Sequence, residues 1–210
     1  MTYAYKLMDS PVGELKLVAN GNRLAAILWE NDKPNRVRLP EIVEADDRPV
    51  LIETERQLNE YFAGTRDRFD LELDFQGTDF QKKVWAALLT IPFGETRSYS
   101  DIARQIGNIN AVRAVGAANG RNPISIVAPC HRVIGASGDL TGFAGGLTNK
   151  MLLLSLEAGQ TSLEAAADST VDSTAAAASG AAPATAGREA PVKPTRPAPS
   201  RGTQASLFGN

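Results

Sequence analysis

A chain of 210 residues is long enough to bury a core in one ordinary domain or two small ones, and 22% charged residues beside 43% hydrophobic ones fit a globular protein. One Cys and one His exclude an intrachain disulfide and a Cys/His zinc cluster, so no metal is expected. The net charge of −2 excludes a protein that coats nucleic acid by bulk attraction. The absence of a signal-peptide block or a long apolar run points to the cytoplasm and away from a membrane.

The charge is unevenly spread. Residues 1–75 carry ten Lys/Arg against fifteen Asp/Glu, whereas residues 76–135 carry seven against three. A basic middle beside an acidic first part fits local contact with a polyanion, although ordinary surface charge explains it equally well.

In chain order, residues 3–8, 14–20 and 23–29 predict strands, with turns at Val12-Gly13 and Asn20-Gly21-Asn22. Residues 50–63 predict a helix, with Leu51, Leu58 and Phe62 on one face and Gly64 past its end. The first 75 residues therefore predict an α+β domain, a small antiparallel sheet plus a helix. Nothing in its own residues states a function.

The next domain, residues 76–160, is predicted to be mainly helical. Thr78-Asp79-Phe80-Gln81 is a capping box, and Phe80, Val84, Leu88 and Ile91 follow at helical spacing until Pro92-Phe93-Gly94 interrupts. Ser98 caps a second helix with Asp101 three positions on, and Gly107 ends it in a left-handed cap. After Asn108-Ile109-Asn110, a third helix runs from Ala111 to Ala118. Helix, short turn, helix is the outline of a helix-turn-helix.

Its second helix carries Ala111, Ala114, Gly116, Ala117 and Ala118. Such a slim face suits close packing on neighbouring helices. It equally suits a narrow minor groove, to which Arg113 and Arg121 add positive charge. Beyond residue 160 the chain is dominated by Ala, Ser, Thr and Pro, which predicts a disordered tail over 161–210.

Ile124 to Ala128 is an apolar, β-branched run that predicts a buried extended segment, and Pro129 follows it. The only Cys and the only His then stand side by side as Cys130-His131. A thiol near its ordinary pKa is only a few per cent ionised at neutral pH, so a nucleophilic Cys needs a base, and His131 is the one available. Adjacent side chains of an extended chain point apart, which calls for a bridging water or a bend between them. An inert core cysteine is the competing reading, though His131 and Arg132 beside it are costly to bury without purpose.

The segment Asn122-Pro123 through Pro129-Cys130-His131-Arg132-Val133-Ile134-Gly135, with Thr141-Gly142-Phe143-Ala144-Gly145-Gly146, strongly resembles the O6-methylguanine-DNA methyltransferases, also called methylated-DNA–protein-cysteine methyltransferases. The similarity reaches back through Gly94 to Tyr99 and to Phe80-Gln81, and forward to about Gly159. The resemblance implies a ribonuclease-H-like fold for residues 1–75. It implies repair of duplex DNA carrying O6-alkylguanine, and O4-alkylthymine with it, by a monomer without a cofactor.

The resemblance also implies roles. Cys130 is the alkyl acceptor, His131 the base that activates it through water, and Glu157, in a last helix from Thr148 to Ala158, the acid that orients the His. Arg113 enters the duplex in place of the flipped guanine, and Tyr99 helps rotate the nucleotide and donates to the base. Asn122 is the hinge between the recognition helix, whose Ala111, Ala114 and Ala117 meet DNA, and the active-site segment. Val133, Phe143 and Ala144 line the base pocket. Phe143 stands where many members have Tyr. Ala144 replaces a hydroxylated residue of some members, which loosens the pocket toward bulkier alkyl groups. A thioether, once formed, has no evident route to hydrolysis, so each chain acts once.

Two other readings fit the same residues, a Cys-His hydrolase that turns over repeatedly and a non-enzymatic module that binds alkylated DNA. Finally, Gln204-Ala205-Ser206-Leu207-Phe208 resembles the short motif by which bacterial proteins bind the replicative sliding clamp. Gln204 and Ser206 would supply polar contacts, and Leu207 and Phe208 apolar anchors.

Overall fold

The computed structural model describes residues 3–159; the expected tail and its clamp-binding pentapeptide lie outside them. Strands β1 (Tyr3–Met8), β2 (Leu15–Asn20) and β3 (Arg23–Trp29) form an antiparallel meander, with Gly13 and Gly21 at positive φ in the two turns. A three-residue strand, β4 (Ile42–Glu44), joins the free side of β1 in parallel, giving the order β3-β2-β1-β4. It is too short to carry an alternation pattern, which is why the sequence did not announce it. Helix α1 (Pro49–Phe62) starts with Pro at its first turn and packs Leu51, Leu58, Tyr61 and Phe62 into the sheet's core.

The outer edge of β3 is occupied. Leu24 N–H donates to Glu72 and Asp74 N–H to Leu24, so the connecting segment acts as a short parallel partner. Further along, Ile27 N–H donates to Pro123 at 2.9 Å and bridges to Ile124. The segment leading to Cys130 is thereby pinned to the sheet, with Ile124, Ile126 and Val127 in the same apolar cluster as Leu17, Leu24 and Ile27.

Helix α2 (Asp79–Leu88) and helix α3 (Tyr99–Gln105) both begin with complete capping boxes, Thr78 with Gln81 and Ser98 with Asp101. A 3₁₀ turn (Ile109–Ala111) leads into α4 (Val112–Gly120). Gly107, with φ of 76°, ends α3 in the left-handed region. Val84, Leu88, Ile102, Val115 and Ala118 form a second core, and Trp85 Nε1 donates to the Ala118 carbonyl at 2.9 Å to tie α2 to α4. Arg97–Ser98 (β5) pairs in parallel with Val133–Ile134 (β6), and α5 (Gly146–Glu157) closes the fold. No helix among the described residues is long and apolar enough to cross a membrane.

One expectation is overturned. Ile124 to Ala128 is buried but not extended: Ala128 N–H donates back to Ile124, Val127 N–H to Ser125, and Ile126 sits at φ of 72°. A β-branched residue pays a steric cost in that region, so something must impose it. The Asn122 side chain does, donating from Nδ2 to the Ala128 carbonyl at 2.8 Å and accepting from Ile124 N–H at 3.1 Å. These bonds hold both ends of the turn together and outweigh the strand propensity of the run.

Candidate active site

Cys130, His131 and Arg132 form a single 3₁₀ turn after Pro129. The backbone therefore bends here, one of the two arrangements, bend or bridging water, that the sequence left open. Cys130 is 2% exposed, and Asn119 Nδ2 donates to its carbonyl at 3.3 Å. Burial pushes the Cys130 thiol up from its ordinary value, while a hydrogen bond from Asn122 and the charges of Arg36 and Lys150 pull the other way. The net shift favours the thiol form at rest, and a nucleophilic role would require a proton acceptor.

His131 is fully buried, and its Nε2 lies 2.7 Å from Glu157 Oε1. Burial holds the imidazole below its usual range, aided by Arg132 and Lys150 and opposed by Glu157. With Nε2 donating to the carboxylate, Nδ1 keeps its lone pair, and that atom has no hydrogen-bond partner among the described residues.

Glu157, the last residue of α5, gathers five donors: His131, Arg132 through Nε at 2.7 Å and Nη2 at 2.9 Å, the Tyr61 hydroxyl at 2.7 Å, and Gly94 N–H at 3.3 Å. Burial works against its charge, but the hydrogen bonds and charges of His131 and Arg132 prevail and hold its pKa at about 2. Arg132 is itself held by Nη1 donating to the Ile91 carbonyl at 2.6 Å. The same carboxylate drives the Tyr61 hydroxyl, already disfavoured from ionising by burial, further up.

Tyr99 opens α3, and its hydroxyl lies 2.8 Å from Thr141 Oγ1, linking the helix to the loop before α5. Val133 is buried, and its carbonyl accepts from Lys150 Nζ at 2.7 Å; Thr141 accepts from the same ammonium at 3.2 Å. Phe143 packs edge-on against Trp29 at 5.3 Å and against His131 at 6.5 Å. Ala144 lines a 240 Å³ cavity with Val12, Trp29, Glu30 and Asn149. On α4, Arg113, Ala114 and Ala117 are exposed and Val115 and Ala118 face the core, while Ala111, at the end of the preceding 3₁₀ turn, is half-buried. The charged, slim face is thus the one turned to solvent.

Several site residues carried no local signal. Tyr61 reaches Glu157 from α1, 96 positions away. Trp29, at the end of β3, donates from Nε1 to Ser125 Oγ at 3.3 Å and lies flush under Gly145, where an added Cβ would stand 2.7 Å from the indole. Arg36 pairs with Asp32 and donates to the Asn122 carbonyl. Lys150 is the only basic residue of α5, and its burial at 0% exposure is what marks it. Among the described residues no group of three or more His, Cys, Asp or Glu could hold a metal ion.

Comparison with known proteins adds identity to this geometry. The family model described as 6-O-methylguanine DNA methyltransferase, ribonuclease-like domain, matches residues 3–75, and that described as 6-O-methylguanine DNA methyltransferase, DNA binding domain, matches residues 79–159. A methylated-DNA–protein-cysteine methyltransferase of Mycobacterium tuberculosis is 52% identical over 155 residues, 73% of this chain and 91% of that protein. One of Methanosarcina acetivorans is 47% identical over 153 residues, 73% of this chain and 97% of that protein. The crystal structure of Mycobacterium tuberculosis OGT in complex with DNA is similar with a TM-score of 0.68 and 49% identity, covering 76% of this chain and 94% of that one.

Proposed function

This chain belongs to the 6-O-methylguanine DNA methyltransferase family, and on that premise we propose that it repairs DNA by moving an alkyl group from guanine O6 to Cys130, once per chain. The observation that carries the assignment of residues is the buried Glu157–His131 hydrogen bond beside Cys130, with His131 Nδ1 left as a free acceptor.

Sulfur attacks the alkyl carbon in line with the bond to O6. The S–C bond forms as the C–O6 bond breaks, and the electron pair of that bond leaves on guanine. The thiol proton passes through a bridging water to His131 Nδ1, and Glu157 stabilises the imidazolium. Guanine, released as an anion, takes a proton from Tyr99, and the His131 imidazolium returns its proton to the tyrosinate through solvent. Summed over the reaction, the thiol's proton ends on guanine and the alkyl group on sulfur. Val133, Phe143 and Ala144 line the base pocket, and Asn122 fixes the turn that presents the thiol.

A stacked base cannot reach a buried sulfur, so the guanine must flip out at a cost of a few kcal/mol. Arg113, exposed on α4 with Ala111, Ala114 and Ala117 beside it, fills the vacated space. Arg113→Ala is expected to slow transfer from an O6-methylguanine duplex by roughly 10- to 100-fold, part of that flipping cost. Transfer from free O6-benzylguanine should be unchanged, because a free base needs no flipping. Equal losses on both substrates would count against the wedge.

The proposal extends to a cytoplasmic monomer, with residues 1–75 supporting and 76–160 reacting. It extends also to clamp binding through Gln204, Ser206, Leu207 and Phe208. Pull-down of the replicative sliding clamp should succeed with the full chain and fail without the last seven residues; retention by the truncated chain would end that idea.

A further inference from the structure

The acid-rich first 75 residues contain one basic island, Lys33, Arg36 and Arg38, in the loop after β3. Arg36 is committed to Asp32 and to the Asn122 carbonyl. Arg38 is exposed and has no ion-pair or hydrogen-bond partner among the described residues. It borders a 500 Å³ hollow that Gln76, Gln81 and Arg121 also line, and no carboxylate lines it. The Arg121 side chain is likewise exposed and unpaired.

Arg121 is the residue that caps α4. It follows Ala114 by seven positions and Ala117 by four, so it continues the exposed stripe of that helix about 10 Å beyond Ala114. The face turned toward the duplex therefore runs directly into this hollow. Two guanidinium groups that line one hollow with no carboxylate among its walls give it a positive potential, which an anion seated there relieves. Guanidinium also matches phosphate oxygens in paired hydrogen bonds.

We propose that the hollow between Arg38 and Arg121 receives a backbone phosphate of the bound DNA, so that the interface reaches past α4 onto the loop after β3. The inference rests on the DNA-repair reading above. It adds a sequence-independent contact that positions the duplex, not one that touches the lesion.

The test is the salt dependence of binding to an undamaged duplex by the full chain, followed by fluorescence anisotropy over roughly 50 to 300 mM salt. Arg38→Ala and Arg121→Ala should each make the slope of log affinity against log salt shallower, and the double variant by about 0.9 in all, the share of the one phosphate they hold. Alkyl transfer from free O6-benzylguanine should stay at the wild-type rate in all three. A wild-type slope in Arg38→Ala would overturn the proposal, as would an equal loss on the free base, which would place the effect at the thiol. A wild-type chain that takes no alkyl group from a lesion duplex would instead defeat the repair reading; the slope on undamaged DNA is independent of that result.

Discussion

Glu157→Gln is expected to slow alkyl transfer by roughly 10²- to 10⁴-fold while duplex affinity stays within about twofold of wild type. The carboxylate is 5% exposed and far in character from the solvent-facing side of α4, so it has no means of touching DNA. Its effect must pass through His131, 2.7 Å away. When the imidazole accepts the thiol proton it becomes a cation inside a dry core, and the carboxylate supplies the compensating charge. Glutamine keeps the shape and loses that charge. It also turns one acceptor into an NH₂ group, in a pocket where Arg132, His131 and Tyr61 all donate. Single-turnover kinetics on an O6-methylguanine duplex measure the rate, anisotropy the affinity, and thermal melting establishes that the variant is folded. A rate within about twofold of wild type would remove Glu157 from the mechanism.

Arg132→Leu is expected to cost about 3–5 kcal/mol of stability, the usual result of removing one partner from a buried ion pair. Three hydrogen bonds go with it, two to Glu157 and one to the Ile91 carbonyl. The loss should also change how stability follows pH. A carboxylate held at about 2, against an ordinary 4.5, contributes stability that is complete above 4.5 and disappears as pH falls toward 2. His131, depressed below its ordinary 6.5, adds an earlier loss in the same direction, because below 6.5 the unfolded chain binds a proton that the folded one refuses. Wild-type melting temperature should therefore fall in two stages on acidification. Without the Arg132 guanidinium, the Glu157 carboxyl moves up toward its ordinary value and the second stage shrinks. Melting curves from about pH 7 to about pH 3 test both points. An unchanged melting temperature with an unchanged acid limb would show that Arg132 does not hold the carboxylate.

What the sequence disclosed was the part of the fold written in local chemistry. The capping boxes at Thr78 and Ser98, the left-handed glycine at 107 and the turns at Gly13 and Gly21 each depend on neighbours within a few positions, and the structure has all of them. The short parallel strand at Ile42–Glu44 was missed because three residues cannot establish a period. The turn at Ile126 was misread because its cause lies in the Asn122 side chain, which clamps backbone that the apolar run alone would extend. The site divides the same way. Cys130 and His131 were visible as neighbours, and Arg132 as a charge in an apolar stretch. Tyr61, Trp29 and Arg36 come from the sheet half of the molecule, and the pairing of β3 with Pro123 and Ile124 helps bring that half to the thiol.

That pairing also gives the first 75 residues a physical task. Trp29 supports the turn before Cys130 and the loop at Gly145, Tyr61 completes the shell around Glu157, and Arg36 steadies Asn122. Cys130, His131 and Glu157 stand on the helical half, yet three of their supports stand on the other.

Intact-protein mass spectrometry after mixing the chain with an O6-methylguanine duplex is the most direct test of alkyl acceptance by Cys130. The account predicts a mass gain of one methyl group per chain, on Cys130 by peptide mapping, no further gain with excess lesion, and none in Cys130→Ala. An unmodified chain, a methyl on another residue, or repeated turnover with the thiol left free would contradict it.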